Sequence, residues 1–213
     1  MLNQKVADLR QDYRKASLNE SDVAADPLQQ FEKWWQDAIS SEIYEPNAMT
    51  LATSSPDGRP SARIVLLKSF DADGFLFFTN YQSRKALELA ANPYVSLLFF
   101  WPDLERQVRI EGSVSKAPEP VSNEYFRSRP AGSRIGAIAS PQSQVIPDRT
   151  YLENKVKQLE TQLGETVPER PSHWGGYVVK PQAVEFWQGR SSRLHDRIRY
   201  SLNVTWKIER LAP

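Results

Sequence analysis

The sequence predicts a mainly β, antiparallel α+β fold: a closed or split β-barrel with helices at its periphery. Two observations carry this. Segments of strand character outnumber helical ones, and several are consecutive and joined by hairpin turns, which favours antiparallel pairing over a doubly wound βαβ sheet. Closure is the natural architecture for such a set because it hides the strand edges.

The elements follow in order. Residues 1–16 read as a charged helix or arm. Asp26-Pro27 is a helix start, with Asp as N-cap and Pro at the first helical position. Leu28, Phe31, Trp34, Trp35, Ala38 and Ile39 then form an apolar stripe at helical spacing. From residue 48 the pattern turns β, with Met49–Ser54 and Ala62–Phe70 as strands and Asp71-Ala72-Asp73-Gly74 as a hairpin turn into Phe75–Thr79. Ser83 opens a helix that ends before Asn92-Pro93. Tyr94–Trp101 and Glu105–Ser115 are strands joined through Pro102-Asp103. Two short helices over 120–139 break at Pro130, a polar helix covers 149–163, and a Pro-rich link follows at 167–171. Trp174–Val179, Ala183–Gln188, Arg193–Ser201 and Thr205–Glu209 close the chain as strands.

At 213 residues, with 40% hydrophobic and 25% charged content, the chain can bury a real core. A net charge of +1 argues against a general nucleic-acid binder. The absence of cysteine removes disulfides, thiolate nucleophiles and cysteine metal sites, and two histidines are too few for a His-rich metal site. The N-terminus lacks a signal-peptide core, and the longest apolar run, Tyr94–Trp101, is too short for a bilayer, so a cytoplasmic protein with no membrane partner is expected.

No glycine falls in a G-x-G-x-x-G or G-x-x-x-x-G-K-[ST] pattern, so any phosphorylated ligand must be held by side-chain cations. Four clusters supply them. Arg63-Ile-Val-Leu-Leu-Lys68 is a buried-strand core bracketed by cations, which face opposite ways if the strand is regular. Thr79-Asn80-Tyr81-Gln82-Ser83-Arg84-Lys85 sets two cations in a first helical turn, where the helix dipole disfavours them unless an anion is present. Tyr125 and Arg129 stand at i, i+4 with Ser133 just past the break, and converge as a phosphate cradle. Last, Arg193, His195 and Arg197 stand at i, i+2, i+4 near Trp187, sharing one face if that segment is extended. Taken singly, each has a plain structural reading: snorkelling strand ends, a solvated helix end, a core Trp, a satisfied His. Together they suit a ligand with a phosphate and a flat ring.

Glu185-Phe-Trp-Gln-x4-Arg193-Leu-His195-Asp-Arg197 resembles the signature of the pyridoxine 5′-phosphate oxidase family. Arg63–Lys68, Thr79-Asn80, Ser83-Arg84-Lys85-Ala86, Leu104-Glu-Arg-Gln107-Val, Arg127-Ser-Arg129-Pro and Arg210-Leu-Ala-Pro are similar to it in the same order, over essentially the whole chain. The resemblance implies an FMN-binding split barrel, homodimeric, with FMN across the subunit interface, oxidising pyridoxine or pyridoxamine 5′-phosphate with O2. It implies that Arg63, Arg84 and Lys85, assisted by Gln142 and Ser143, hold the FMN phosphate region. Ile64, Val65, Leu66, Leu67, Phe78 and Thr79 would line the flavin, and Gln107, Trp187 and Arg197 would contact it near its rings. Lys68, serving cofactor and substrate, would grip the substrate phosphate with Tyr125, Arg129 and Ser133. Arg193 and His195, with Leu194 between them, would sit over the pyridine as the catalytic residues, orienting it, and either one could take a proton. Arg10 and Tyr13 match a lid within an N-terminal arm at 1–20, ahead of a single domain at 21–213. Two positions depart from the family pattern: Phe78 stands where Tyr is usual, and Glu45 where Asp is common.

Overall fold

The computed structural model describes residues 8, 9, 11–164 and 166–213. Its elements are α1 (Pro27–Ser40), β1 (Ala48–Ser54), β2 (Pro60–Leu66), β3 (Ser69–Asp71), β4 (Gly74–Asn80), α2 (Arg84–Ala91), β5 (Tyr94–Trp101) and β6 (Arg106–Lys116). They continue as α3 (Glu119–Ser128), α4 (Ala131–Ala139), α5 (Arg149–Leu163), β7 (Trp174–Gln188), β8 (Asp196–Leu202) and β9 (Trp206–Arg210). One sheet runs β2-β1-β5-β6-β7-β4-β3, with β8 paired to β7 and β9 to β8. The β3–β4, β4–β7, β7–β8 and β8–β9 ladders are antiparallel.

The chain divides into two compact units. The first takes in the described residues up to Met49, with Leu97–Glu111 and Pro181–Pro213. The second takes in Thr50–Ser96 and Gly112–Lys180.

The first unit is built on α1. Asp26 accepts from the backbone N–H of Leu28 (2.8 Å) and of Gln29 (3.3 Å), with Pro27 at the first turn. Such a cap is worth about 1 kcal/mol. The predicted stripe buries Phe31, Trp34 and Ala38, whereas Ile39 at its edge stays 48% exposed. Phe31 packs on Phe99 (5.2 Å between ring centroids) and Trp34 meets Phe186 edge-on (5.2 Å). Trp101, Tyr200, Val108, Ile110 and Ile198 complete this core. The indole N–H of Trp101 donates to Pro46 O and the Tyr200 hydroxyl to Ala24 O, so neither buried polar tip goes unpaired.

The second unit shows why the sheet curls. Its terminal strands in the order, β2 and β3, are joined by only Leu67 and Lys68. Three Cα steps span at most about 11 Å. Seven strands laid flat would put the ends six spacings apart, roughly 29 Å. The sheet must therefore bend back on itself. The hairpin from β3 to β4 closes as predicted, with Asp71 opposite Gly74. Gly74 has φ +128°, and a Cβ there would lie 2.1 Å from the Val179 carbonyl oxygen, so only glycine fits.

Several boundaries differ from the sequence reading. The expected strand Ala62–Phe70 is two strands, because at Leu67-Lys68 the chain leaves β1 and the Lys68 N–H bonds Leu76 O beside β4. Nor is it a buried core strand: Ile64 is 64% exposed, and only Leu67 is buried. Trp174–Val179 and Ala183–Gln188 form one strand, β7. Pro181 falls between its register with β4, which ends at Val179, and its register with β8, which starts at Ala183. A residue without an N–H is tolerated where a strand changes partner. The last correction concerns Arg193–Ser201. The strand begins only at Asp196, and Ser191–Arg193 is a 3-10 turn with Ser192 and Arg193 at φ 56° and 62°. Residues 11–16 carry no helix; the rest of the expected arm, Arg10 included, lies largely outside the described residues.

Candidate functional site

In the second unit a cleft of about 500 Å³ is lined by residues from β2, the Leu67-Lys68 link, β4, α2, α3, the Pro130 turn, α4 and the start of β7. It gathers Arg63, Ile64, Val65, Leu66, Lys68, Phe78, Thr79, Lys85, Tyr125, Arg129, Ser133 and Gln142. Regular alternation would have sent Arg63 and Lys68 to opposite faces. The strand break after Leu66 resets the alternation and brings both to one cleft. Tyr125 and Arg129 do not share a helical face either. Helix α3 stops at Ser128, and Arg129 is the extended residue (φ −71°, ψ 148°) imposed by the following Pro130. It reaches the cleft from the turn, its guanidinium 4.6 Å from the centroid of the Trp174 ring.

The cleft has an aromatic wall. Phe78 stacks on Tyr125 (4.0 Å, 19°) and Trp174 (5.4 Å, 9°). Lys68 Nζ lies 5.8 Å from the centroid of Tyr125.

Its cations fall into two sets. Arg63 and Arg84 already have a partner in Glu88, at 3.3 Å and 2.9 Å. Burial alone would raise the Glu88 pKa, but hydrogen bonds from Ser61, Thr53 and Arg84 outweigh it and bring the carboxyl down to about 2. Glu88 thus answers part of the dipole mismatch expected in the first turn of α2. Ser83 does not cap that helix, because its hydroxyl donates to Asn80 O (2.7 Å). Lys85 differs. Its Nζ meets only neutral oxygens, of Gln142 (2.9 Å), Thr79 (3.1 Å) and Ser83 (3.2 Å). Burial first, then the charge of Arg63, lowers its pKa to about 8. Among the described residues Lys68, Lys85 and Arg129 have no ion-pair partner, and Arg129 Nη1 is buried with no hydrogen bond. Unsatisfied cationic donors in a cleft call for anionic oxygens, and phosphate groups fit them. Arg84 and Ser143 (φ 72°) line an adjoining hollow of about 440 Å³ that shares Gln142. Leu67 is buried.

The first unit holds the other predicted residues. Arg193 and His195 line a cleft of about 570 Å³ with Tyr13 and Arg190. Trp187 lies 4.6 Å from His195, and Tyr13 sits 5.9 Å and 6.0 Å from the two rings. Gly189 makes room for this: a Cβ there would lie 2.7 Å from Tyr13 Cγ. The row at 193, 195 and 197 does not share a strand face, because the 3-10 turn and its two left-handed residues intervene. Arg197 alone is in β8, where Nε donates to Glu185 (2.7 Å) and Nη1 to Ala212 O (2.9 Å). Glu185, buried, also takes Arg109 (2.5 Å). Leu194 is 70% exposed, and Gln107 is half-buried on β6.

Sequence reasoning passed over Glu88, Trp174, Glu185 and Arg190. Glu88 was available from its i, i+4 spacing to Arg84. Glu185 stood in the quoted motif without a role, and nothing local marked Trp174 as the wall of a cleft.

Known proteins are similar to this chain along its length. Residues 35–163 match the family model described as pyridoxamine 5′-phosphate oxidase, and residues 174–213 match the pyridoxine 5′-phosphate oxidase C-terminal dimerisation region. A pyridoxine/pyridoxamine 5′-phosphate oxidase of Cupriavidus pinatubonensis is 56% identical over 211 residues, covering 98% of this chain and 99% of its own. One from Leptospira interrogans is 53% identical over the full length of both chains. The crystal structure of PhzG from Burkholderia lata, in complex with tetrahydrophenazine-1-carboxylic acid, superposes with a TM-score of 0.86 at 32% identity, covering 92% of this chain and 98% of that one. The fold is the antiparallel split barrel of these proteins.

Proposed function

We propose a function from one settled premise: the chain belongs to the pyridoxine/pyridoxamine 5′-phosphate oxidase family, whose members are FMN-dependent enzymes. The reading is that it oxidises pyridoxine 5′-phosphate or pyridoxamine 5′-phosphate to pyridoxal 5′-phosphate. The observation that carries it is the second unit's cleft, with unpaired Lys68, Lys85 and Arg129 around a stacked aromatic wall. That is the chemistry of phosphate groups attached to flat rings.

Arg63 and Lys85, with Arg84, Gln142 and Ser143 beside them, hold the FMN phosphate region. Ile64, Val65, Leu66, Leu67, Phe78 and Thr79 line the flavin, and Gln107, Trp187 and Arg197 contact it. FMN, when bound, would supply the two-electron acceptor for oxidation at C4′, with O2 as the final oxidant and hydrogen peroxide as its product. Lys68, Tyr125, Arg129 and Ser133 fix the substrate phosphate, which sets the register of C4′. Arg193 and His195 orient the pyridine, and Arg197, held by Glu185, would favour negative charge on the flavin ring system. The arm at 1–20, with Arg10 and Tyr13, closes over the substrate and excludes bulk water, while 21–213 works as one domain. The homodimer places FMN at the subunit interface. The matched dimerisation region supports this, since it contains Trp187, Arg193, His195 and Arg197. Among the described residues no helix is long and apolar enough to cross a membrane, and the proposed compartment is the cytoplasm.

The test is an absorbance spectrum of the purified protein, then addition of pyridoxine 5′-phosphate under air. Flavin bands, formation of the aldehyde and oxygen uptake are expected. A protein that cannot be loaded with FMN would refute the reading.

A further inference from the structure

We propose that His195 works as a neutral hydrogen-bond donor and not as the base: the backbone N–H of Arg190 occupies its Nδ1, which leaves Nε2–H for the ligand. This deepens the functional reading above and rests on it for the identity of that ligand.

The Arg190 N–H lies 3.1 Å from His195 Nδ1. A backbone N–H can only donate, so Nδ1 must offer its lone pair, and the ring proton of a neutral imidazole is then on Nε2. Protonating Nδ1 would set two N–H groups against each other. A histidine that acts as a base has the opposite arrangement, with a carboxylate or carbonyl oxygen accepting from Nδ1–H and a bare Nε2 toward the substrate.

The adjacent carboxylate could have provided that arrangement and does not. Asp196 accepts from the Leu18 N–H (3.1 Å), Arg190 Nη1 (2.8 Å) and Arg210 Nη1 (2.8 Å), and makes no bond to the imidazole. These bonds pin both ends of the loop from Arg190 to Asp196. The left-handed Ser192 and Arg193 then turn the chain so that His195 folds back on the Arg190 amide.

The charged groups around the ring act in the same direction. On its own loop stand Arg190, Arg193 and Asp196; from the N-terminal arm, Asp12 lines the cleft but is paired with Arg14. Burial, then the charge of Arg193, holds the imidazole below its ordinary pKa, with Asp196 pulling weakly the other way. Trp187 and Tyr13 bring aromatic rings 4.6 Å and 6.0 Å from the imidazole. Arg193 and His195 therefore both present donors. Such a pair recognises an acceptor oxygen carrying negative charge, as on the phenolate of a 3-hydroxypyridine.

The chain has two histidines, so nitrogen-15 labelling of the imidazoles gives an assignable spectrum of the FMN-loaded protein, with His173→Gln identifying the other ring. The expected result is one protonated nitrogen, Nε2, and an unprotonated Nδ1 at pH 7.5. A protonated Nδ1, or an imidazolium at that pH, would overturn the proposal. Turnover gives a second measure, because a glutamine amide reaches the Nε2 position and an asparagine amide does not. His195→Gln should keep kcat/KM within about tenfold of the parent, the scale of one altered hydrogen bond, and leave the shape of the pH profile unchanged. Equal losses of about 10²–10⁴-fold in His195→Gln and His195→Asn, with disappearance of one limb of the profile, would mark a base and overturn it. If the loaded protein turns over no pyridoxine 5′-phosphate at all, the functional reading fails, and the resonances still decide the tautomer.

Discussion

The two clefts differ in how far they neutralise positive charge: in the second unit Glu88 pairs Arg63 and Arg84 only. In the second unit Lys68, Lys85 and Arg129 are left without acidic partners, and burial lowers the pKa of Lys85 and of Arg129. In the first unit the cations near the predicted ring site are already paired: Arg197 and Arg109 share Glu185, and Arg190 and Arg210 share Asp196. Holding unpaired cations part-buried is unfavourable until an anion arrives, so the second unit's cleft suits the phosphate proposed for it. Paired cations are held in place by their carboxylates, so an arriving ligand finds their geometry already set. Arg193, which has no ion pair among the described residues, is the exception in the first unit's cleft.

The contrast can be broken most sharply at Lys85. Lys85→Glu places a carboxylate against the site proposed for the FMN phosphate and should weaken FMN binding by at least about 100-fold, read by flavin fluorescence quenching. If FMN binds normally, the second unit's cleft is not its phosphate site. Next, Arg193→Ala should lower kcat/KM by about 10–100-fold while FMN stays bound, since a charged donor to the substrate is lost. Retained turnover would remove Arg193 from the site. Arg129→Ala should raise the KM for the phosphorylated substrate by roughly tenfold or more with kcat little changed, the signature of lost uniform binding. A smaller effect comes with pH. The folded-state pKa of Lys85 is about 8 against 10.5 unfolded, so the unfolded chain binds more protons between those values. FMN-free protein should therefore gain stability from this group as pH rises through that window. FMN affinity should move the other way, falling as Lys85 loses its proton above about 8. A thermal melt and an FMN titration at several pH values check the two signs, and Lys85→Arg should flatten both.

Much of the site was legible because its residues come in short strings. Arg63 and Lys68 belong to one segment and Arg84 and Lys85 to another, and Arg63, Lys68 and Lys85 line one cleft. What the strings did not show was geometry. Arg63 and Lys68 meet in one cleft only because the strand breaks at Leu67, and that break follows from closing the sheet, not from any local breaker residue. Arg193 and His195 look like strand partners by spacing, but Asp196 draws the chain into a turn through bonds to Leu18, Arg190 and Arg210. Two of these partners are distant in sequence, so no local pattern reveals them.

By itself the sequence determined the Asp26 cap of α1, the helices and their proline stops, the hairpin at Gly74, the antiparallel class and the cationic clusters. Local backbone preferences and hydrophobic period act over a few residues and can be read there. Only the tertiary structure decided which cations are neutralised, which stay open, and which nitrogen of His195 is free. Those outcomes depend on burial and on partners brought together by sheet closure.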